Sequence, residues 1–339
     1  MKVTVVLFAY NHEAFIEEAL LSALGQTSQA HELLIVDDAS TDGTRAVIDR
    51  VLAREAPRGM AIRKHYRPTN GGLLRAVNEA FALATGDIIM VMAGDDVSLP
   101  DRLACTLKAF AADPDVMLVF GGHLRVDEQG RPLRTFSQPE KAISYAYAGA
   151  PVTRIYGRSG PFGASAAYRR RLYEIFGPMS DGTHGEDNCY WVRALLLGKI
   201  RREPDIFIHW RQHSANLSNF SINLHCPQWR ARHLAWMECH AKMSPQWLAD
   251  IRHARKIQAI SWLTAWRLMF AAGREDRTWA LNASTLREDG WPTWLARAIK
   301  LLVHGRLSTA FRLSKMRLSA WRREREWRFW AKLKSNQPI

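Results

Sequence analysis

The chain has 339 residues, 47% hydrophobic and 24% charged, an ordinary globular composition with enough material for one elaborated domain or two. No run approaches the roughly 18 to 20 consecutive apolar residues of a membrane span, and four cysteines without a CxxC pair suggest neither a disulfide framework nor a zinc knuckle. The formal charge of +14 and pI near 10.0 direct attention to anionic partners: nucleic acid, nucleotides or an acidic membrane surface.

The opening "MKVTVVLFAYNHEAF" carries one Lys and an apolar run of about seven residues with no small-residue cleavage site after it, so it reads as a first strand rather than a targeting signal. A cytoplasmic setting is expected from this and from the cysteine pattern. Residues 3–9 form the strand, and Phe15, Ile16, Ala19, Leu20, Ala23 and Leu24 recur at helical spacing after it. "HELLIVDD" is a second strand, "TDGTRAVIDRVLARE" a helix, "MAIRKHYR" a third strand, "NGGLLRAVNEAFALATG" a helix closing at Gly86, and "DIIMVMAG" a fourth strand. Strand and helix alternating at this pitch predict an α/β fold with a mostly parallel sheet flanked by helices.

A helix over 100–112 follows, then the strand of "DVMLVFGGHLRVDEQGRPL" with a hairpin-like turn at Glu128–Pro132. Residues 135–165 are rich in Gly, Ser, Pro and Tyr without a clear period, which suggests a mobile loop. A helix (186–198) and a strand (201–210) come next. Domains are expected at 1–222, in halves 1–100 and 101–222, and at 223–339, a helical, basic, Trp-rich region.

Open parallel sheets bind ligands beyond the carboxyl ends of their strands. Asp37 and Asp38 close the second strand, and Asp95 and Asp96 close the fourth, so two acid pairs distant in sequence are expected at one rim. Adjacent carboxylates repel, and a divalent cation, an arginine or solvent must offset the cost. The bland alternative is a solvated turn in which Asp96 helps to cap the helix after Pro100. Ser40, Thr41, Asp42 and Gly43 add turn and cap chemistry before a helix whose start favours anions. Together these parts suit a nucleotide diphosphate.

The segments "AYNHEAFIEEALLSALGQT", "LLIVDDASTDGT", "NGGLLRAVNEAFALATGDIIMVMAGDDVSLPDRL" and "GEDNCYWVRALLLG" fall in the order and spacing of the family-two inverting glycosyltransferases, which this chain resembles over about residues 3–218. The resemblance implies a GT-A-type fold and a sugar taken from a nucleotide-diphosphate donor, with UDP favoured over dTDP and GDP. It implies that Tyr10 and Asp38 contact the nucleotide base with Ala9 and Asp37 beside them, and that Asp95 and Asp96 hold Mn²⁺ or Mg²⁺ against the diphosphate. In "GED" it makes Asp187 the general base, with Glu186 second; the alternative is plain N-terminal charge on that helix. "HWRQHSANLSN" resembles the segment that closes such sites, where Arg211 and His213 are expected at the diphosphate or metal. His209 and His213 as a zinc pair lack a third ligand. The chain departs from the family pattern at Phe8, Ala93 and Val77; Arg75 stands in for the arginine often found before Asn78, and both are expected near the donor.

Between Lys300 and Lys334 eleven Lys or Arg face two Glu, a local +9, and Leu307, Phe311, Leu318 and Trp321 share one helical face. Such a segment either lies on an anionic bilayer, at the cytoplasmic face of the inner membrane, or packs on the core or on a second copy of the chain. The expected acceptor is a saccharide or lipid-linked saccharide of surface polysaccharide synthesis. Two other classes of function compete: a catalytically degenerate sugar-nucleotide binder, and a nucleic-acid binder working through the basic tail, for which no familiar motif speaks. A sugar-nucleotide pyrophosphorylase would carry a Gly-rich basic loop where this chain has "AYNHEAF".

Overall fold

A computed structural model describes residues 1–135 except 56 and 58, 141–146, 162–216 except 182 and 184, 244–261, and 264, 265 and 268. The chain divides into two compact units, 1–217 with 245–272, and 218–244 with 273–339. The basic segment 300–334 and the cysteines Cys226 and Cys239 lie outside the described residues; Cys105 and Cys189 are free thiols. Among the described residues no helix is long and apolar enough to cross a membrane.

The first unit is built on a ten-stranded mixed sheet. Its first half alternates β1 (Val3–Ala9), α1 (Ile16–Leu24), β2 (Glu32–Asp37), α2 (Thr44–Glu55), β3 (Ala61–Tyr66), α3 (Leu73–Leu83) and β4 (Ile88–Ala93). These strands lie in the order β3-β2-β1-β4, all parallel, with Val5 beside Leu33 on one side and Met90 on the other. β1 is buried along its whole length, as a central strand covered on both faces must be, and each such Val, Leu or Phe contributes roughly 1.5–3 kcal/mol.

The second half departs from the mostly parallel sheet expected. It comprises β5 (Val97–Ser98), α4 (Arg102–Ala112), β6 (Val116–Val126), β7 (Pro132–Thr135), β8 (Ile143–Ala146), β9 (Ala166–Arg169), α5 (Arg171–Phe176), α6 (Glu186–Leu197) and β10 (Lys199–Arg211). Strand β9 inserts antiparallel between β4 and β6, β10 runs parallel to β6, and β5, β7 and β8 are antiparallel additions. Helices α4 and α6 lead into β6 and β10, whereas β5, β7, β8 and β9 are two to four residues long, too short for their direction to leave a trace in periodicity. The stretch expected as a mobile loop contains β8 and a single 3₁₀ turn at Gly163–Ser165; residues 136–140 and 147–161 lie outside the described residues.

Helix α7 (Ser244–Lys256) groups with this first unit, although it falls beyond the boundary near 222 drawn from composition. The buried Arg193 of α6 explains why: its Nε donates to Asp250 Oδ2 at 2.9 Å and its Nη1 to the Gly177 carbonyl at 2.8 Å. Gln246 on the same helix donates to Asp250 and accepts the Ser180 N–H.

Candidate active site

The rim of the parallel half is locked from within. Asn11 and Ala39, at the tips of β1 and β2, both adopt left-handed backbone (φ 54° and 62°), a conformation uncommon for residues with a Cβ. They persist because the two tips bond each other: the Asn11 N–H donates to Ser40 Oγ at 2.9 Å, and Asn11 Oδ1 accepts the Thr41 N–H at 2.8 Å. Asp37 is fully buried and held by Ser40 and Arg45. Asp38 accepts the N–H groups of Gly71 and Gly72 at 3.0 and 2.8 Å and pairs with the buried Arg67. Asp38, expected at the nucleotide base, and Asp37 beside it thus both accept hydrogen bonds that shape this rim. Ala9 is buried behind it, whereas Tyr10 stands 44% exposed and its ring is the accessible surface there.

At the end of β4 the acid pair splits into two environments. Asp95 Oδ2 meets His213 Nε2 at 3.0 Å, Asn216 Nδ2 at 3.3 Å and His12 Nε2 at 3.8 Å. Burial works to raise the Asp95 carboxyl, but the His213 hydrogen bond and the two imidazoles hold it below its ordinary value. Asp96 turns inward, where its Oδ1 accepts the Arg211 N–H at 3.0 Å. Burial and then the charge of Asp95 push its carboxyl well above the carboxylate range, against the opposing pull of Arg211 and Arg102. It is thus an anchor between two strands and not a helix cap, since Asp101 occupies the cap position of α4.

Arg211, expected at the diphosphate, is 3% exposed and already committed. Its Nε donates to the Asp95 carbonyl at 3.1 Å, its Nη1 to the Glu128 carbonyl at 2.7 Å, and its Nη2 reaches Glu18. The guanidinium fork suits this clamp, which ties the acid pair to the β6–β7 turn and to α1. His209 lies on β10 opposite Val97, on a strand rather than a helix, so it makes no i,i+4 pair with His213.

Two residues that sequence reasoning passed over complete this corner. His12 packs so closely that a Cβ on Gly94 would lie 2.8 Å from its Nδ1, which accounts for glycine in "MAGDD". Burial lowers its basicity, with Asp95 pulling the other way. Asn216 lay within a quoted motif, and its amide was not singled out; His12 sits in "YNHE" two positions from Tyr10, a signal that could have been read.

A second acidic pair opens α6. Asp187 Oδ1 accepts the Asn188 N–H at 2.8 Å, and Gly163 approaches so nearly that a Cβ there would lie 3.4 Å from Asp187 Oδ2 and from Glu186 Oε1. Burial pushes Asp187 up to about 6; burial and then the charge of Asp187 push Glu186 up to about 8. Carboxylates serving only a helix dipole are stabilised in the ionised form, so these raised values point away from a simple helix-start role. The two carboxyls titrate as a pair, and both are shifted upward toward neutrality.

The remaining expected donor residues sit on α3, which starts just after Gly72. Asn78 exchanges hydrogen bonds with the Met179 backbone at 2.8 and 2.9 Å, and Arg75 is exposed with only a long contact to Asp181 at 3.4 Å. Among the described residues no group of three or more His, Cys, Asp or Glu side chains forms a metal cage of its own. A carboxylate backed by an imidazole nevertheless fits a divalent cation that shares its coordination sphere with substrate phosphates.

An imidazole-backed acid at a strand end of a mixed α/β sheet, together with a raised carboxyl pair at the start of α6, is the kind of side-chain set that group-transfer enzymes use. The family model described as glycosyl transferase family 2 matches residues 4–176, and the chain belongs to that family. An uncharacterized glycosyltransferase, alr2836 of Nostoc sp., is 29% identical over 218 residues, covering 64% of this chain and 66% of that protein. The O-antigen biosynthesis protein RfbC of Myxococcus xanthus is 35% identical over 128 residues, 38% of this chain and 10% of that protein. The chain thus spans between a tenth and two thirds of these relatives. Among solved structures, the mannosyltransferase PcManGT from Pyrobaculum calidifontis, in complex with GDP-Man and Mn²⁺, superimposes with a TM-score of 0.54 at 20% identity, covering 98% of this chain and 84% of that one. The mixed, helix-flanked sheet of the chain fits the GT-A type.

Proposed function

We propose that the protein is a divalent-metal-dependent, inverting glycosyltransferase that moves a sugar from a nucleotide-diphosphate donor to a saccharide or lipid-linked saccharide acceptor in surface polysaccharide synthesis. The observation that carries this reading is the division of labour between its two acidic sites: Asp95 is kept ionised, while the Glu186–Asp187 pair is held at values suited to proton transfer near neutrality. Relatives such as RfbC support the polysaccharide destination, and the family resemblance is the ground for trying UDP first.

Asp187 takes the proton from the acceptor hydroxyl. The acceptor oxygen then bonds to the anomeric carbon as the bond from that carbon to the donor phosphate breaks, its electron pair leaving with the diphosphate, and the configuration inverts. Asp95, with His213 behind it, would hold the divalent cation, which when bound offsets charge on the departing diphosphate. Glu186 keeps a proton beside Asp187, and Arg211 with Asp96 fixes the strand end that presents Asp95. Tyr10 offers its exposed ring to the nucleotide base at the rim that Asp37, Asp38 and Ala9 shape.

Thermal stabilisation by UDP, dTDP, GDP and CDP, each with Mn²⁺, Mg²⁺ or EDTA, tests the donor half. One nucleotide should raise Tm only with metal, and Asp95→Ala should abolish that shift while leaving the unliganded Tm within about 2 °C. A shift unaffected by EDTA and by the substitution would refute the metal-dependent reading.

A further inference from the structure

Three rings outside the sites described so far share one face of the sheet. His123 on β6, Trp210 on β10 and Phe162 just before the 3₁₀ turn pack with centroid separations of 4.6 Å (His123–Phe162), 4.7 Å (Phe162–Trp210) and 5.2 Å (His123–Trp210). All three are only partly buried, and Phe162 and Trp210 pack on the core while keeping some surface in water. The Arg125 guanidinium lies 4.9 Å from the Trp210 ring centroid and donates to Gln212, which places polar groups at the edge of the cluster. The His123 imidazole, pushed down to about 4 by burial and by Arg125, stays neutral.

Chain connectivity sets this cluster next to residues that contact each of the two acidic sites. Phe162 directly precedes Gly163, whose Cα hydrogen faces the Asp187 and Glu186 carboxyls; Trp210 directly precedes Arg211, whose N–H holds Asp96. An acceptor hydroxyl must reach Asp187 while facing the donor carbon beside Asp95, so the sugar bearing it has to occupy the neighbourhood these rings line. Pyranosides present a flat patch of C–H groups ringed by hydroxyls, and a partly wet aromatic surface edged by a guanidinium and an amide complements both features.

We propose that His123, Phe162 and Trp210 form the platform on which the C–H face of the acceptor pyranoside stacks, with Arg125 and Gln212 meeting its hydroxyls. This deepens the transferase reading and rests on it. The platform shares no residue with the nucleotide rim, so acceptor and donor binding separate experimentally.

The probes are octyl β-D-glucopyranoside and octyl β-D-galactopyranoside, followed by saturation-transfer difference NMR on the full chain, with the UDP and Mn²⁺ thermal shift run in parallel. Saturation should appear on the sugar-ring protons of at least one probe, fall about tenfold in Trp210→Ala and in Phe162→Ala, and stay within about threefold in Trp210→Phe, which keeps an aromatic face. The nucleotide shift should be unchanged in all three, which also shows that they are folded. Ring saturation that persists in both alanine variants, saturation confined to the octyl chain, or no saccharide signal beside an intact nucleotide shift would each overturn the platform. Loss of the nucleotide response in the unsubstituted protein would sink the transferase reading itself, and the platform with it.

Discussion

The two halves of the sheet treat their acids in opposite ways. In the parallel half, Glu32, Asp37 and Asp38 are buried and matched: Glu32 accepts from Thr4 at 2.6 Å, from Arg63 at 2.8 Å and from Thr85, while Asp38 takes two N–H groups and Arg67. In the mixed half, Asp96 is buried and Glu186 and Asp187 are half-buried, and desolvation outweighs their hydrogen bonds and pushes all three carboxyls upward. Matched carboxylates build a rigid rim, whereas mismatched ones store readiness to hold or move a proton. One sheet therefore carries a scaffold and a reactive edge, distinguished by what surrounds the same kind of side chain.

The largest expected consequence of that difference lies in catalysis. Asp187→Asn removes the proton acceptor without changing shape, and transfer should drop about 100- to 10,000-fold while the nucleotide-induced thermal shift persists. In the unsubstituted enzyme kcat/KM should fall as pH drops through about 6, where Asp187 gains its proton. A variant with near-normal transfer, or a flat profile between pH 5 and 7, would move the base role to another group.

The same kind of substitution in the matched half should act on folding instead. Asp38→Ala strands Arg67, 7% exposed, and frees the N–H groups of Gly71 and Gly72. Glu79 still pairs with Arg67 at 2.9 Å, so the cost should sit near the low end for a broken buried pair, about 3 kcal/mol in a denaturant titration. Were Asp38 primarily a nucleotide contact, that titration would move by less than about 1 kcal/mol and the nucleotide shift would vanish instead.

This contrast also explains what the sequence disclosed. The parallel half was readable because apolar runs of strand length alternated with helical periods, and β1 to β4 fall where the pattern puts them. The acid pairs at the ends of β2 and β4 were visible as doubled aspartates, and "GED" as a helix start. Which partner each member takes was not visible, because that depends on Arg211 reaching Asp96 across 115 residues and on Arg67 reaching Asp38 across 29. The insertion of β9 between β4 and β6 was equally hidden: four residues, "AAYR", carry no period, and their place is set by partners 46 or more residues away. Phe162, His123 and Trp210 meet only because of that insertion and of the β6–β10 register, so no local motif announces them.

The smallest expected effect separates the halves by sign alone. Burial raises the Glu32 carboxyl, but its bonds to Thr4, Arg63 and Thr85 outweigh that and leave it below an ordinary glutamate. Glu32 therefore contributes stability above roughly pH 4.3, lost as pH falls through its lower folded value. Glu186 is the reverse: the folded chain still holds a proton that the unfolded chain releases near pH 4.3, so stability declines as pH rises toward about 8. Glu186→Gln cannot ionise, and its Tm should exceed that of the unsubstituted protein by roughly 2–4 °C at pH 9 and match it near pH 5. Glu32→Gln should lower Tm at pH 7, with the deficit shrinking in acid. Parallel Tm–pH curves for both variants would mean that surroundings do not divide these acids, and the separation into scaffold and reactive edge would fail with them.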